Sequence, residues 1–170
     1  MNLIGKDRFE DTSNQYKYDT ARLKNVLKIA AKNAEWGKRL PEGHAYGLAV
    51  HYSFYTYVAS VVEVSVINNK VKVHNVFTAI DCGTVVNRNT VEAQMQGSAV
   101  FGMSLAFYGK ITAKNGEIQQ SNYHDYQMTR IHQAPKVHVE IVKNTEKPTG
   151  VGEPGVPVIA PAIINAIFKA

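Results

Sequence analysis

The stretch HAYGLAVHYSFYTYVASVVEVSVINNKVKVHNVFTAI, residues 44–80, decides the fold class. It holds three β-like runs. HAYGLAVHYSF alternates weakly. YVASVVEVSVI is rich in valine, with Val62, Val64 and Val66 on one face and Val61, Glu63 and Ser65 on the other. KVKVHNVFTAI sets Val71, Val73, Phe77 and Ala79 in near alternation. Asn68-Asn69 joins the second and third runs. Asparagine tolerates positive φ, so a tight hairpin is expected there.

Helical patterns flank this block. Upstream, YDTARLKNVLKIAAKNAEWG puts Leu23, Val26, Leu27, Ala30 and Ala34 on one helical face. Asp19 or Thr20 caps its start and Gly37 ends it. Residues 1–18 are polar and aperiodic and read as an arm or linker, which leaves 19–170 as the domain. Downstream, DCG is a turn, and Asn87, Asn89 or Thr90 can cap a helix reaching about Tyr108. Gly97 and Gly102 lie inside it. Each costs about 1 kcal/mol against alanine. With Ser98, Ala99, Ser104 and Ala106 they predict a face of close backbone approach. KNGEI is a turn, and QQSNYHDYQMTRIHQAP is irregular. KVHVEIV alternates as a strand through Val137, Val139 and Ile141. A terminal helix carries Ala160, Ile163, Ile164, Ile167 and Phe168 at helical spacing, with Pro157 or Pro161 in its first turn. Helix, three strands, helix, strand, helix is an α+β domain on an antiparallel or mixed sheet.

Composition bounds the function classes. The chain has 170 residues, 45% apolar and 19% charged, enough for one domain with a real core. Its formal charge is +5, but Lys and Arg are scattered and form no basic stripe, which argues against a nucleic-acid surface. Cys82 is the one cysteine, so no internal disulfide and no multi-cysteine metal site is available. The N-terminal residues show no apolar h-region, and the apolar stretches are too broken for a transmembrane helix. The chain is therefore expected to be soluble and to carry no targeting segment of its own. That leaves a cytoplasmic or a periplasmic location equally open.

Several chemical motifs are missing. No P-loop, Rossmann fingerprint or nucleophile elbow occurs. None of the six histidines forms an i, i+4 pair around a glutamate. His74 and His138 lie in strand-like runs and read as strand faces rather than ligands. His124 and Asp125 are adjacent and close enough in sequence to hydrogen-bond. The stronger candidate is Glu153, in TGVGEPGVPVIAPAIINAIFKA. Gly150 and Gly152 let the backbone bend close to a ligand. Pro154 fixes the exit, and the following helix start offers free N–H groups. A carboxylate so placed suits a general base, although such a loop is also compatible with plain surface. Gln94 is the second candidate. Its amide both donates and accepts, which suits a heterocycle with mixed edges, and an exposed helix glutamine is the alternative.

Taken in order, IDCGTVVNRNTVEAQMQGSAVFGMSLAFYGKIT, SNYHDYQM, APKVHVEIV and GVGEPGVPVIAPAIINAIF resemble the C-terminal part of the molybdenum-binding large subunit of the xanthine dehydrogenase and aldehyde oxidase family. VLKIAAKNAEWGKRLPEGHAYGLAV is similar to the bacterial isoquinoline oxidoreductase and membrane-associated aldehyde dehydrogenase branch. The resemblance covers nearly all of residues 20–168. It implies hydroxylation of an aldehyde or N-heterocycle with water as the oxygen source. It implies that Glu153 is the general base, that Gln94 contacts the pterin with Gly97 as the glycine of its Q-x-x-G helix, and that Gly152 lies beside the metal ligands as part of the same loop. It places no metal ligand on this chain.

The resemblance also implies molybdopterin cytosine dinucleotide with molybdenum as cofactor, and iron–sulfur clusters on a partner subunit. The family subunit is several times longer. Its Gly-rich segments that grip the cofactor from the other side, and its basic tail, have no counterpart here. Half a site is therefore expected, completed by the remainder of the large subunit or by a split partner. Alone, the chain is expected to lack hydroxylase activity and to bind cofactor weakly or not at all. Two rival readings are an inactive relic that keeps the fold, and a non-enzymatic assembly or binding module that docks through the glycine-containing helix.

Overall fold

The structure, a computed structural model, describes residues 2–12 and 16–170. Its centre is a four-stranded sheet of β3 (His44–Ser53), β4 (Thr56–Ile67), β5 (Lys70–Asp81) and β8 (Lys136–Ile141), in that spatial order. The first three strands form an antiparallel meander. β8 joins parallel to β5, so the sheet is mixed. Asn68 and Asn69 take φ of 52° and 59°, and the predicted hairpin forms. The other hairpin turn uses Phe54 and Tyr55 at φ 52° and 61°. Aromatic residues enter the left-handed region only at a cost of about 1–2 kcal/mol each, so this turn is strained.

One face of the sheet is covered by α1 (Thr20–Asn33). The Asp19 carboxylate accepts from the amides of Ala21 and Arg22 and caps the helix, as the sequence predicts. Leu23, Val26, Leu27, Ala30 and Ala34 are buried against Tyr46, Tyr57, Val61 and Ala79. Beyond the end of α1 the same face carries a polar ladder. His44 Nδ1 lies 3.1 Å from Glu63 Oε1, and His74 Nε2 lies 2.8 Å from Ser65 Oγ. Asn75 donates to Glu63 at 2.7 Å and faces His138 Nε2 at 3.3 Å. Burial holds the His74 and His138 imidazoles below their ordinary pKa. These half-buried histidines serve the sheet's own hydrogen bonding.

The opposite face carries α2 (Arg88–Phe107) and α3 (Ile159–Ile167). Asn87 caps α2 by accepting from Thr90 N at 3.1 Å. Two glycines bring α3 close. A Cβ on Gly47 of β3 would lie 1.9 Å from the Ala162 carbonyl oxygen. A Cβ on Gly102 of α2 would lie 2.5 Å from Ile159 Cβ. The seat selects the face of α3. Ile159, Ala162, Ile163 and Ala166 are buried, and the two alanines are the ones that lie over Gly47. The sequence reading differs here: Ile163 packs inward as expected, but Ile164 is half-exposed and Phe168 is 88% exposed. Asn165 instead donates to the Leu48 carbonyl at 3.1 Å and satisfies part of the β3 sheet edge. Gly102→Ala is expected to destabilise the protein by about 1–3 kcal/mol. The midpoint of urea unfolding measures it.

Two smaller ribbons complete the chain. The predicted arm contains an antiparallel pair, β1 (Phe9–Thr12) and β2 (Tyr16–Asp19), anchored to α1 where Arg8 N donates to Thr20 Oγ1 at 2.8 Å. Strands β6 (Ala113–Lys114) and β7 (Glu117–Ile118) pair through an Asn115-Gly116 turn. Among the described residues no helix is long and apolar enough to cross a membrane.

Candidate functional site

The loop after β8 carries Glu153, and the chain straps that loop down in stages. Val142 N donates to the Ile80 carbonyl at 2.9 Å and Thr149 N to that of Cys82 at 3.0 Å. At the strained β3–β4 turn, Gly150 N donates to the Phe54 carbonyl at 3.1 Å, and Thr56 Oγ1 donates back to the Gly150 carbonyl at 2.6 Å. Gln94, on α2, then donates its Nε2 hydrogen to the Gly152 carbonyl at 2.9 Å. Finally Pro154 and Gly155 are buried against α2. A Cβ on Gly155 would lie 2.9 Å from both Met95 Sδ and Ser98 Cβ. A loop fixed at so many points holds the exposed Glu153 in a defined place.

Gln94, Gly152 and Glu153, separated by nearly sixty positions in sequence, therefore meet in space. Gly97 lies on the same exposed side of α2, where a Cβ would meet nothing within 4 Å. The expectation of close packing at this glycine is corrected. Gly102 is the packing glycine, and nothing among the described residues requires glycine at 97. Gly150 serves the protein as well, since its Cβ would lie 2.7 Å from Phe54 Cβ, whereas one on Gly152 would meet only Gln94 Nε2, at 4.0 Å. The helix start also lies farther from Glu153 than the sequence suggests. Val156 N donates to the Glu153 carbonyl at 3.0 Å, and α3 begins only at Ile159.

The Glu153 side faces a groove of about 370 Å³. Phe54, Phe101, Val156 and Pro157 form its apolar walls, and His51 and Ser53 line it from β3. Sequence reasoning passed over His51 and the two phenylalanines. The signal was the period of β3: Gly47 and Ala49 face α3 and its core, so His51 and Ser53 share that side.

Other candidates have structural roles. His124 Nε2 is 3.6 Å from Asp125 Oδ2, beyond hydrogen-bond distance. Asp125 accepts instead from the amides of Asn122 and Ser121, which hold its carboxyl down to about 2. Cys82 is buried and free, and burial pushes its thiol up. Asp81, read from sequence as part of a turn, is the buried end of β5 and pairs with Arg22. Among the described residues no cluster of three His, Cys, Asp or Glu side chains is arranged to hold a metal ion.

Comparison with known proteins matches this architecture. The model of the molybdopterin cofactor-binding domain covers residues 7–135, which include Gln94 and Gly97; Glu153 lies C-terminal to that match. The isoquinoline 1-oxidoreductase subunit beta of Brevundimonas diminuta is 36% identical over 149 residues, covering 85% of this chain and 19% of its own length. The membrane-bound aldehyde dehydrogenase (pyrroloquinoline-quinone) of Gluconacetobacter polyoxogenes is 34% identical over 175 residues, covering 99% of this chain and 23% of its own. The structure of the aldehyde oxidoreductase from Desulfovibrio gigas superposes with a TM-score of 0.56 at 20% identity, over 86% of this chain and 19% of that one. At that identity the likeness speaks for the fold. The chain spans about a fifth of the length of the curated relatives it matches.

Proposed function

Because this chain belongs to the molybdopterin cofactor-binding domain family, we propose that α2 and the Glu153 loop form one wall of a molybdenum hydroxylase active site. One observation carries the reading. The Gln94 amide, bonded to the Gly152 carbonyl at 2.9 Å, ties the exposed side of α2 to the loop that presents Glu153.

The residues fit a large planar cofactor approaching from that side. Gln94 Oε1 accepts no hydrogen bond from the described residues, so it is available to a pterin N–H. Gly97 leaves open space beside it, and a Cβ on Gly152 would touch only Gln94 Nε2, at 4.0 Å. The cofactor of the proposed site is molybdopterin cytosine dinucleotide, gripped from its other side by the rest of a large subunit. When bound, it supplies the acceptor for the two electrons that leave the substrate carbon. Iron–sulfur clusters on a partner subunit would supply the onward path for those electrons.

The overall change converts a substrate C–H and a water into C–OH, two protons and two electrons. Glu153 accepts one of those protons as the general base, from the oxygen that attacks the aldehyde or heterocycle carbon. Its loop needs no rearrangement to do so, because the straps to Phe54, Thr56 and Gln94 already fix it. Phe54 and Phe101 exclude water from the apolar side of the groove.

Gly97→Ala separates this reading from a purely structural one. Without a cofactor at α2, the added methyl meets nothing and alanine raises helix propensity by up to about 1 kcal/mol. The assembled enzyme is expected to gain or keep thermal stability while its molybdenum content falls, as measured by metal analysis. Full molybdenum content in the Gly97→Ala enzyme would contradict the placement of the cofactor.

A further inference from the structure

Among the described residues, His51 is the one strand histidine whose side chain has no partner. His44, His74 and His138 each face a side-chain acceptor or donor within 3.3 Å. His51 has no hydrogen bond, ion pair or ring contact among the described residues, although it is partly buried. It lines the same groove as Glu153, together with the half-exposed Phe54 and Phe101. Phe54 holds this place from the strained turn at φ 52°. Strain of this kind collects at ligand-binding positions.

The groove carries few hydrogen-bonding groups: the Glu153 carboxylate, the Ser53 hydroxyl and the His51 imidazole. An ionised carboxylate only accepts. Among the side chains that line the groove, a ligand atom that itself accepts therefore finds its donor on β3. Resting on the reading of this groove as a substrate wall, we propose that His51 is its specificity-determining residue, its imidazole N–H donating to the ring nitrogen or carbonyl oxygen of a planar aromatic substrate that lies between Phe54 and Phe101. Burial supports the assignment, since it holds the imidazole below its ordinary pKa and so in the neutral form with one donor and one acceptor. A neutral ring also avoids forming an ion pair with Glu153, which leaves that carboxylate available as a base.

The test is equilibrium binding to the assembled, cofactor-loaded enzyme without turnover, in an anaerobic Glu153→Gln background. Isoquinoline, benzaldehyde and naphthalene are the probes. Naphthalene has the shape of isoquinoline without its nitrogen. The His51-intact enzyme is expected to bind isoquinoline at least about tenfold more tightly than naphthalene, the worth of one net hydrogen bond in a desolvated site. Adding His51→Phe should remove that preference while leaving naphthalene affinity within about twofold. His51→Asn keeps a donor and should retain part of the preference, which covers the case in which the phenylalanine variant does not fold. Ser53→Ala should leave it intact. Loss of affinity for isoquinoline alone would support the assignment and name a ring nitrogen as the acceptor, and loss for benzaldehyde as well would extend it to a carbonyl oxygen. An isoquinoline preference undiminished in His51→Phe, or undiminished in His51→Asn where the phenylalanine variant does not fold, would overturn it. That result leaves the reading of Glu153 untouched, because the turnover of the single Glu153→Gln variant tests it separately.

Discussion

Asp81→Ala is expected to lower stability by about 3 kcal/mol, at the lower end of the range for breaking a buried ion pair. Asp81 is 2% exposed and receives both arms of the Arg22 guanidinium, at 2.9 and 2.7 Å. Asn144 donates to it at 2.8 Å. The guanidinium also lies 4.6 Å above the Tyr57 ring, and the Tyr57 hydroxyl accepts from Asp19 N at 2.8 Å. Removing the carboxylate strands an arginine charge between α1, β4 and the loop that leads to Glu153. The side chain of Arg22 keeps 23% exposure, so water relieves part of the cost. In a chain of this size about 3 kcal/mol corresponds to a fall of roughly 6–12 °C in Tm.

The same pair fixes the sign of the acid response. Burial opposes ionisation of Asp81, but the Arg22 and Asn144 hydrogen bonds outweigh it and hold its carboxyl below the usual range. A group whose pKa is lower in the folded state binds more protons once unfolded. Its stabilisation is therefore complete above the unfolded carboxylate value, about 3.9, and is lost as pH falls through the folded value. Asp81→Asn should flatten the acid limb of a stability–pH curve below about pH 4 and leave its neutral region parallel to wild type.

What the sequence carried was local. The Asp19 cap, the Leu23–Ala34 stripe of α1, the Asn68-Asn69 turn and the Asn87 cap all follow from residues within a few positions of one another. The α+β class and the valine-rich strands were legible for the same reason. The non-local features were not legible. Arg22 and Asp81 are 59 positions apart, and nothing near either names the other. β8 could have paired on either sheet edge and in either direction until the crossover through α2 set it parallel to β5. The buried face of α3 was decided by Gly47 on a distant strand, which favoured Ala162 and Ala166 over the larger Ile164 and Phe168. Phe54-Tyr55 lacks the Asn or Gly that marks such a turn, so its left-handed geometry left no sign. Of the site, the order Gln94, Gly152, Glu153 could be read in the sequence, but their meeting and the His51 groove are products of packing.

Glu153→Gln in the assembled enzyme is expected to lower turnover by about a hundredfold to ten-thousandfold, the contribution of a positioned general base. The substitution is close to isosteric, and Glu153 is exposed with its loop held by backbone and Gln94 contacts. Stability and cofactor content should therefore stay near wild type. An inactive relic, or a module that only docks, would have no turnover to lose through this residue. The decisive measurement is the single-turnover rate of substrate oxidation in Glu153→Gln enzyme whose molybdenum content equals that of wild type. A fall of at least about a hundredfold, with binding of substrate unchanged, is the predicted result. A rate close to wild type would contradict the assignment of Glu153 as the base that this wall presents.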